Sequence, residues 1–71
     1  MEKPLNFVNI NGLKFAYQTP FSIVELVQYM GFNKNVIVVD YNGYILDVSI
    51  WRTTFLRNKD SVEILSMAGG G

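Results

Sequence analysis

Ser22-Ile23-Val24-Glu25-Leu26-Val27-Gln28-Tyr29-Met30-Gly31 is the stretch on which the fold turns. Ser22 and Glu25 stand at capping-box spacing: the hydroxyl can accept from the Glu25 amide, and the Glu25 carboxylate can reach back to the Ser22 amide. Ile23, Leu26, Val27 and Met30 follow at i, i+3, i+4 and i+7, a single apolar stripe. Gly31 falls where a left-handed residue closes a helix, and Phe32 supplies the apolar partner of that closure. The spacing predicts one short amphipathic helix, about Ile23 to Met30, with one face to lay on a sheet.

The flanks supply the sheet. Upstream, Leu5 to Ile10 and Leu13 to Tyr17 read as two strands joined by Asn11-Gly12. That dipeptide is a strong hairpin signal, because both central positions of a type I′ turn need positive φ. Alternation places Phe15 and Tyr17 on one face with Val8 and Ile10, and turns Phe7 and Asn9 the other way. Downstream, Val36-Ile37-Val38-Val39 is apolar throughout. It is expected to be a central strand buried on both faces, hence paired in parallel with a neighbour. Asn42-Gly43 marks a second turn, and Tyr44-Ile45-Leu46 a brief strand. Asp47 to Leu56 reads as a loop with a short strand near Thr53 to Leu56. Asn58-Lys59-Asp60-Ser61 is turn chemistry, and Val62 to Ser66 is the last strand. The order β-β-α-β, an irregular stretch, then β is that of a β-grasp: an α+β fold with a mixed sheet of four to five strands and one main helix on one face. First and last strands are expected to lie parallel in its middle.

Composition narrows the function. Seventy-one residues allow one domain. With 49% hydrophobic residues and no cysteine, stability must come from an apolar core rather than disulfides. The absence of histidine as well as cysteine removes the usual zinc ligands and the usual general base. Asp40, Asp47, Asp60 and Glu63 show no ligand spacing and read as solvated turn and strand charges, so no metal is expected. Six basic and six acidic residues cancel without a basic cluster, which argues against nucleic acid as a partner. Trp51 and the four tyrosines are read as packing at the domain edges rather than base stacking. No apolar run approaches the roughly 20 residues of a membrane span. Met1-Glu2-Lys3-Pro4 lacks the apolar segment of a signal peptide. The expected location is the cytoplasm, or an organelle stroma if the chain is organelle-encoded.

Met67-Ala68-Gly69-Gly70-Gly71 closes the sequence. Glycines lack Cβ, so such a run is thin and conformationally free. The expected organisation is a folded body over residues 1–66 and a flexible tail over residues 67–71. A thin tail can enter a narrow channel and carry its end to a buried site. At the end stands an α-carboxylate, a poor electrophile until it is joined to AMP. A frayed end or an expression scar is the bland alternative.

The hairpin with Asn11-Gly12, the helix opening Ser22-Ile23-Val24-Glu25-Leu26, the segment Val39-Asp40-Tyr41-Asn42-Gly43-Tyr44-Ile45 and the ending Lys59-Asp60-Ser61-Val62-Glu63-Ile64-Leu65 before the glycines together resemble the ubiquitin-like sulfur carriers of the ThiS/MoaD family. The likeness spans nearly the whole chain, apart from a few extra N-terminal residues, and is nearest the thiamine-biosynthesis branch. It implies that Gly71 is the point of adenylylation and sulfur attachment, and that Gly69 and Gly70 carry it into partner active sites. It implies a ThiF-type adenylyltransferase that uses ATP, a cysteine-desulfurase sulfur route, and a ThiG-type thiazole synthase as acceptor. The chain itself would be a protein co-substrate with no bound cofactor. A MoaD-like role in molybdopterin synthesis, and a ubiquitin-like modifier, are the alternatives. In a β-grasp the helix covers one sheet face only, so Phe7, Leu65, Met67 and Ala68 are candidate docking residues on or beside the other.

Overall fold

The structure, a computed structural model, describes residues 4–67. Among them the order is β1 (Asn6–Ile10), β2 (Leu13–Tyr17), α1 (Ile23–Met30), β3 (Ile37–Tyr41), β4 (Tyr44–Ile45) and β5 (Ser61–Ser66), with short 3₁₀ turns at Lys34–Val36 and Val48–Ile50. The five strands form one mixed sheet in the order β2-β1-β5-β3-β4. The first and last strands are parallel neighbours, and β5 occupies the centre. This is the β-grasp arrangement.

The local signals act as their chemistry requires. Asn11 and Gly12 have φ of 52° and 83°, both left-handed, and close a hairpin in which Val8 faces Phe15 and Asn6 faces Tyr17. Both halves of the capping box form: the Ser22 hydroxyl accepts from the Glu25 amide at 3.2 Å, and the Ser22 amide donates to the Glu25 carboxylate at 2.8 Å. Gly31, at φ 81°, donates to the Gln28 carbonyl while the Phe32 amide donates to Val27, so the last carbonyls of the helix are satisfied as the chain turns away. Ile23, Leu26 and Val27 are fully buried, and Met30 packs at the margin.

Those three helix residues meet Val8 and Ile10 of β1, Ile37 and Val39 of β3, and Val62 and Ile64 of β5 in one core. Each fully buried aliphatic side chain contributes about 1.5–3 kcal/mol, which is the main support available to a chain without disulfides. Tyr17 closes one end of the core, its ring edge-on to Phe21 at 5.5 Å.

Four expectations are corrected. Residues 36–39 are not a strand buried on both faces: Val36 ends a 3₁₀ turn, and in β3 burial alternates, with Val38 only half-buried. Both neighbours of β3, β4 and β5, run antiparallel to it; the parallel pair is β1 with β5. An unbroken apolar run cannot reveal that one sheet face lacks a covering layer. No strand forms over Thr53 to Leu56, where only one bridge joins Phe55 to Ser22. The Leu56 amide donates to Phe21 and the Ile23 amide to Thr54, so this loop is stitched to the helix start instead. Trp51 is core rather than edge packing, 3% exposed, with its indole N–H donating to the Leu46 carbonyl at 3.0 Å. Asp60 is buried rather than solvated. Its carboxylate accepts from the Tyr41 hydroxyl at 2.6 Å, the Arg57 amide at 2.7 Å and the Asn42 side-chain amide at 3.0 Å.

Candidate functional site

The candidate site has two parts, a chain end and the surface that would bring it to a partner. Of the predicted tail, Ala68, Gly69, Gly70 and Gly71 lie outside the described residues. What the structure gives is where that segment departs. β5 is the central strand, and its register against β3 runs unbroken from Tyr41–Val62 to Ile37–Ser66. One further bond, from the Met67 amide to the Val36 carbonyl at 2.6 Å, carries the pairing past the end of the strand. On the β1 side the ladder stops at Ile10–Val62, and the Asn11 side-chain oxygen takes over by accepting from the Ile64 amide at 2.7 Å. The start of β5 is equally tied: the Asn42 amide donates to the Ser61 carbonyl, and the Ser61 amide donates to the Asn42 side chain. The departure point is thus fixed by the middle of the sheet.

The sheet face away from α1 can be read from the registers, since direct cross-strand partners point the same way. Val62 and Ile64 point into the core, so Ser61, Glu63 and Leu65 point out. Leu65 is opposite Val38, Glu63 opposite Asp40, and Asp40 opposite Ile45. On the hairpin, Phe7 stands opposite Ala16 and Asn9 opposite Lys14. Phe7 is 38% exposed, Leu65 51% and Met67 61%. Leu65 and Met67 lie along β5 toward the departing chain, while Phe7 is on β1, with the Lys14 ammonium 4.7 Å above its ring. Val38 and Ile45 join this surface without having been singled out in the sequence. Val38 is placed there by the β3–β5 register, a long-range pairing that periodicity alone does not fix, and Ile45 by the β3–β4 pairing across the Asn42-Gly43 turn.

The backbone of Phe7 is held from the β5 side. Its amide donates to the Asn58 side chain at 2.8 Å, and its carbonyl accepts from the Lys59 amide at 2.6 Å. Lys59 takes a left-handed φ of 75° to do so. Among the described residues, no group of three or more His, Cys, Asp or Glu side chains gathers as a metal site would require, and no helix is long and apolar enough to cross a membrane.

A family model described as the ThiS family matches residues 8–71. The chain belongs to the ThiS family. The match runs from the core residue Val8 through to Gly71, so it takes in both the ubiquitin-like body and the glycines. Three relatives are each described as uncharacterized protein ycf40. That of Porphyra purpurea is 33% identical over 64 residues, 90% of each chain. That of Pyropia yezoensis is 31% identical over 64 residues, again 90% of each. That of Trieres chinensis is 31% identical over 62 residues, 87% of this chain and 85% of the relative. Among solved structures, the crystal structure of the thiamine biosynthesis protein ThiS from Geobacter metallireducens superposes with a TM-score of 0.78. It covers 92% of this chain and 99% of that one at 24% identity, and so shares the fold. Membership of the ThiS family implies two general classes of partner, an adenylyltransferase and sulfur-utilising enzymes.

Proposed function

We propose that this chain is a sulfur carrier whose working group is the α-carboxylate of Gly71. In this reading a ThiF-type adenylyltransferase uses ATP to convert the carboxylate into an acyl-adenylate, with pyrophosphate leaving. The terminal sulfur of a persulfide from a cysteine-desulfurase route then displaces AMP to give an acyl disulfide. A second thiol attacks the partner's sulfur of that S–S bond, leaving with it as a disulfide and releasing the carrier's thiocarboxylate. The thiocarboxylate delivers its sulfur to a ThiG-type thiazole synthase for the thiazole ring of thiamine. ATP is held by the activating partner, and the chain is a co-substrate without turnover of its own. Gly69 and Gly70 are the narrow segment that enters each partner; Phe7, Leu65, Met67 and Ala68 are the docking residues. The setting is the cytoplasm or an organelle stroma.

The observation that carries this reading is the family match extending to the last glycine, behind a strand fixed at the centre of the sheet. Once the body docks, the attached end is held at high local concentration near the partner's active centre. A body that contributes no catalytic side chain of its own suits that role.

Intact mass spectrometry tests it. The full chain is incubated with a ThiF-type enzyme, ATP, a cysteine desulfurase, cysteine and a thiol reductant. The expected result is a single new species heavier by the difference between one sulfur and one oxygen, lost again when thiazole synthase and its small-molecule substrates are added. Unchanged mass refutes the reading, and a ladder of larger conjugates points to a protein modifier instead. Loss of thiamine-independent growth on gene deletion, with molybdoenzyme activity intact, places the sulfur in thiazole rather than molybdopterin.

A further inference from the structure

The face away from α1 carries charge as well as apolar surface, and the charges are sorted by position. Register sets Asp40 of β3 directly across from Glu63 of β5. Such partners stand with Cβ atoms about 5 Å apart, and like charges there weaken a sheet. Their neighbours on that face, Val38, Leu65, Ser61 and Ile45, bring no positive charge. On the opposite flank the Lys14 ammonium sits above the Phe7 ring, and Lys59 lines the same shallow hollow as Phe7 and Lys14. In the sheet order β2-β1-β5-β3-β4, the cations lie at the β2 and β1 side and the carboxylates on β5 and β3. The chain as a whole is neutral. What this face offers a partner is direction rather than net charge.

Asp40 has a role in the fold, its carboxylate accepting from the Gly43 amide at 2.9 Å across the Asn42-Gly43 turn, but Glu63 opposite it makes no such bond among the described residues. A basic residue at position 63 would keep that turn bond and turn a repulsive pair into an attractive one. A local choice that works against the fold points to a use outside it. An apolar patch by itself also tolerates a half-turn about the sheet normal. That half-turn would turn Met67 away from the intended active centre.

We propose that the activating enzyme reads this face by its polarity, offering a basic side chain to Asp40 and Glu63 and an acidic one to Lys14 and Lys59, with apolar contact to Leu65 and Val38 between. This rests on the sulfur-carrier reading and adds to it the residues that choose the docking orientation. The reversed orientation sets like charge against like, a penalty that suppresses wrong registers. Arginine suits the carboxylate pair, because its planar fork can meet two acceptors at once.

The test uses the full chain carrying Glu63→Lys or Lys14→Glu, with Glu63→Gln and Lys14→Gln as milder changes. ATP–pyrophosphate exchange by a ThiF-type adenylyltransferase is measured over a range of salt concentrations. Each reversal should raise KM for the carrier roughly tenfold while kcat holds. The salt dependence of kcat/KM should flatten, and the Gln variants should move less in the same direction. Glu63→Lys should melt no lower than the wild type, because it removes the like-charge pair, so unfolding cannot produce its higher KM. Unchanged KM and salt dependence in both reversals overturn the proposal. Normal exchange with loss only of the later sulfur transfer overturns the choice of the activating enzyme as reader. A wild-type chain that supports no exchange defeats the carrier reading itself, and the polarity with it. Wild-type exchange with unaffected variants defeats only the polarity.

Discussion

Asp60→Ala removes one carboxylate that three donors share. Asp60 is 8% exposed and stands just ahead of β5. It accepts from the Tyr41 hydroxyl, the Asn42 side chain and the Arg57 amide, so it ties the end of β3 and the following turn to the start of the central strand. Hydrogen bonds to a charged acceptor contribute about 1.5–3 kcal/mol each, but bonds that share an acceptor are not additive. Two donors have partial recourse. The Tyr41 hydroxyl also lies 3.5 Å from the Phe55 carbonyl, and the Asn42 side-chain amide, on an exposed residue, can donate to water. The Arg57 amide has no second acceptor in its turn, and removing a buried charge returns part of its desolvation cost. The net loss is therefore about 3 kcal/mol. A chain of this length has a total stability of about 4–11 kcal/mol, and at 4–8 °C per kcal/mol the loss lowers Tm by roughly 15 °C. Urea unfolding followed by the fluorescence of the buried Trp51 measures it. Asp60→Asn, which keeps the volume and one acceptor oxygen, should lose about half as much. A loss below about 1 kcal/mol for Asp60→Ala would mean that the network is solvated and that Asp60 does not organise the entry to β5.

Three further outcomes are expected. Leu26→Ala empties a fully buried site beneath the sheet and should cost about 2–5 kcal/mol in the same unfolding assay; a neutral result would contradict the packing of α1. Deleting Gly70 and Gly71 should leave Tm unchanged, because the core residues run from Val8 to Ile64, yet abolish adenylylation; a large fall in Tm would contradict the division into body and tail. Burial, and then the hydrogen bond to Asp60, push the Tyr41 hydroxyl up from 10 to about 12. Its neutral form is therefore favoured by the fold, so this contribution is intact below pH 10 and is lost as pH rises toward 12. Stability followed from pH 9 to 12 should show that loss in the wild type and not in Tyr41→Phe, and parallel profiles would refute the assignment.

What could be read from the sequence was what short-range chemistry decides. The capping box at Ser22 and Glu25, the closing Gly31 and the paired Asn-Gly turns each specify a local backbone shape without help from distant residues. Alternation along Phe7 to Ile10 separated core from surface correctly for the same reason. The misreadings share a cause: they depend on what lies across space. Val36 to Val39 looks like a strand covered on both sides because apolar content does not say whether a second layer exists. Asp60 looks like any turn aspartate until Tyr41 and Asn42, remote in sequence, are brought against it. Trp51 looked peripheral because the irregular stretch that buries it has no period to read.

The position of β5 joins fold to function more closely than the glycines alone suggest. An edge strand could hold a chain end, but edges are where sheets fray and where foreign strands pair. Here the strand leading toward Gly71 is tied at its start by Asn42 and Asp60, and past its end by the bond from Met67 to Val36. Leu65 and Met67 follow in the same segment, so the docking contacts proposed for them would act on the strand that leads to the terminal residues. Little freedom separates the proposed docking surface from the start of the segment beyond it. A shift of a partner along this face therefore moves the start of the tail by the same amount. On the sulfur-carrier reading proposed above, that coupling would let recognition of the body, rather than of the glycines, decide which enzyme receives the end of the chain.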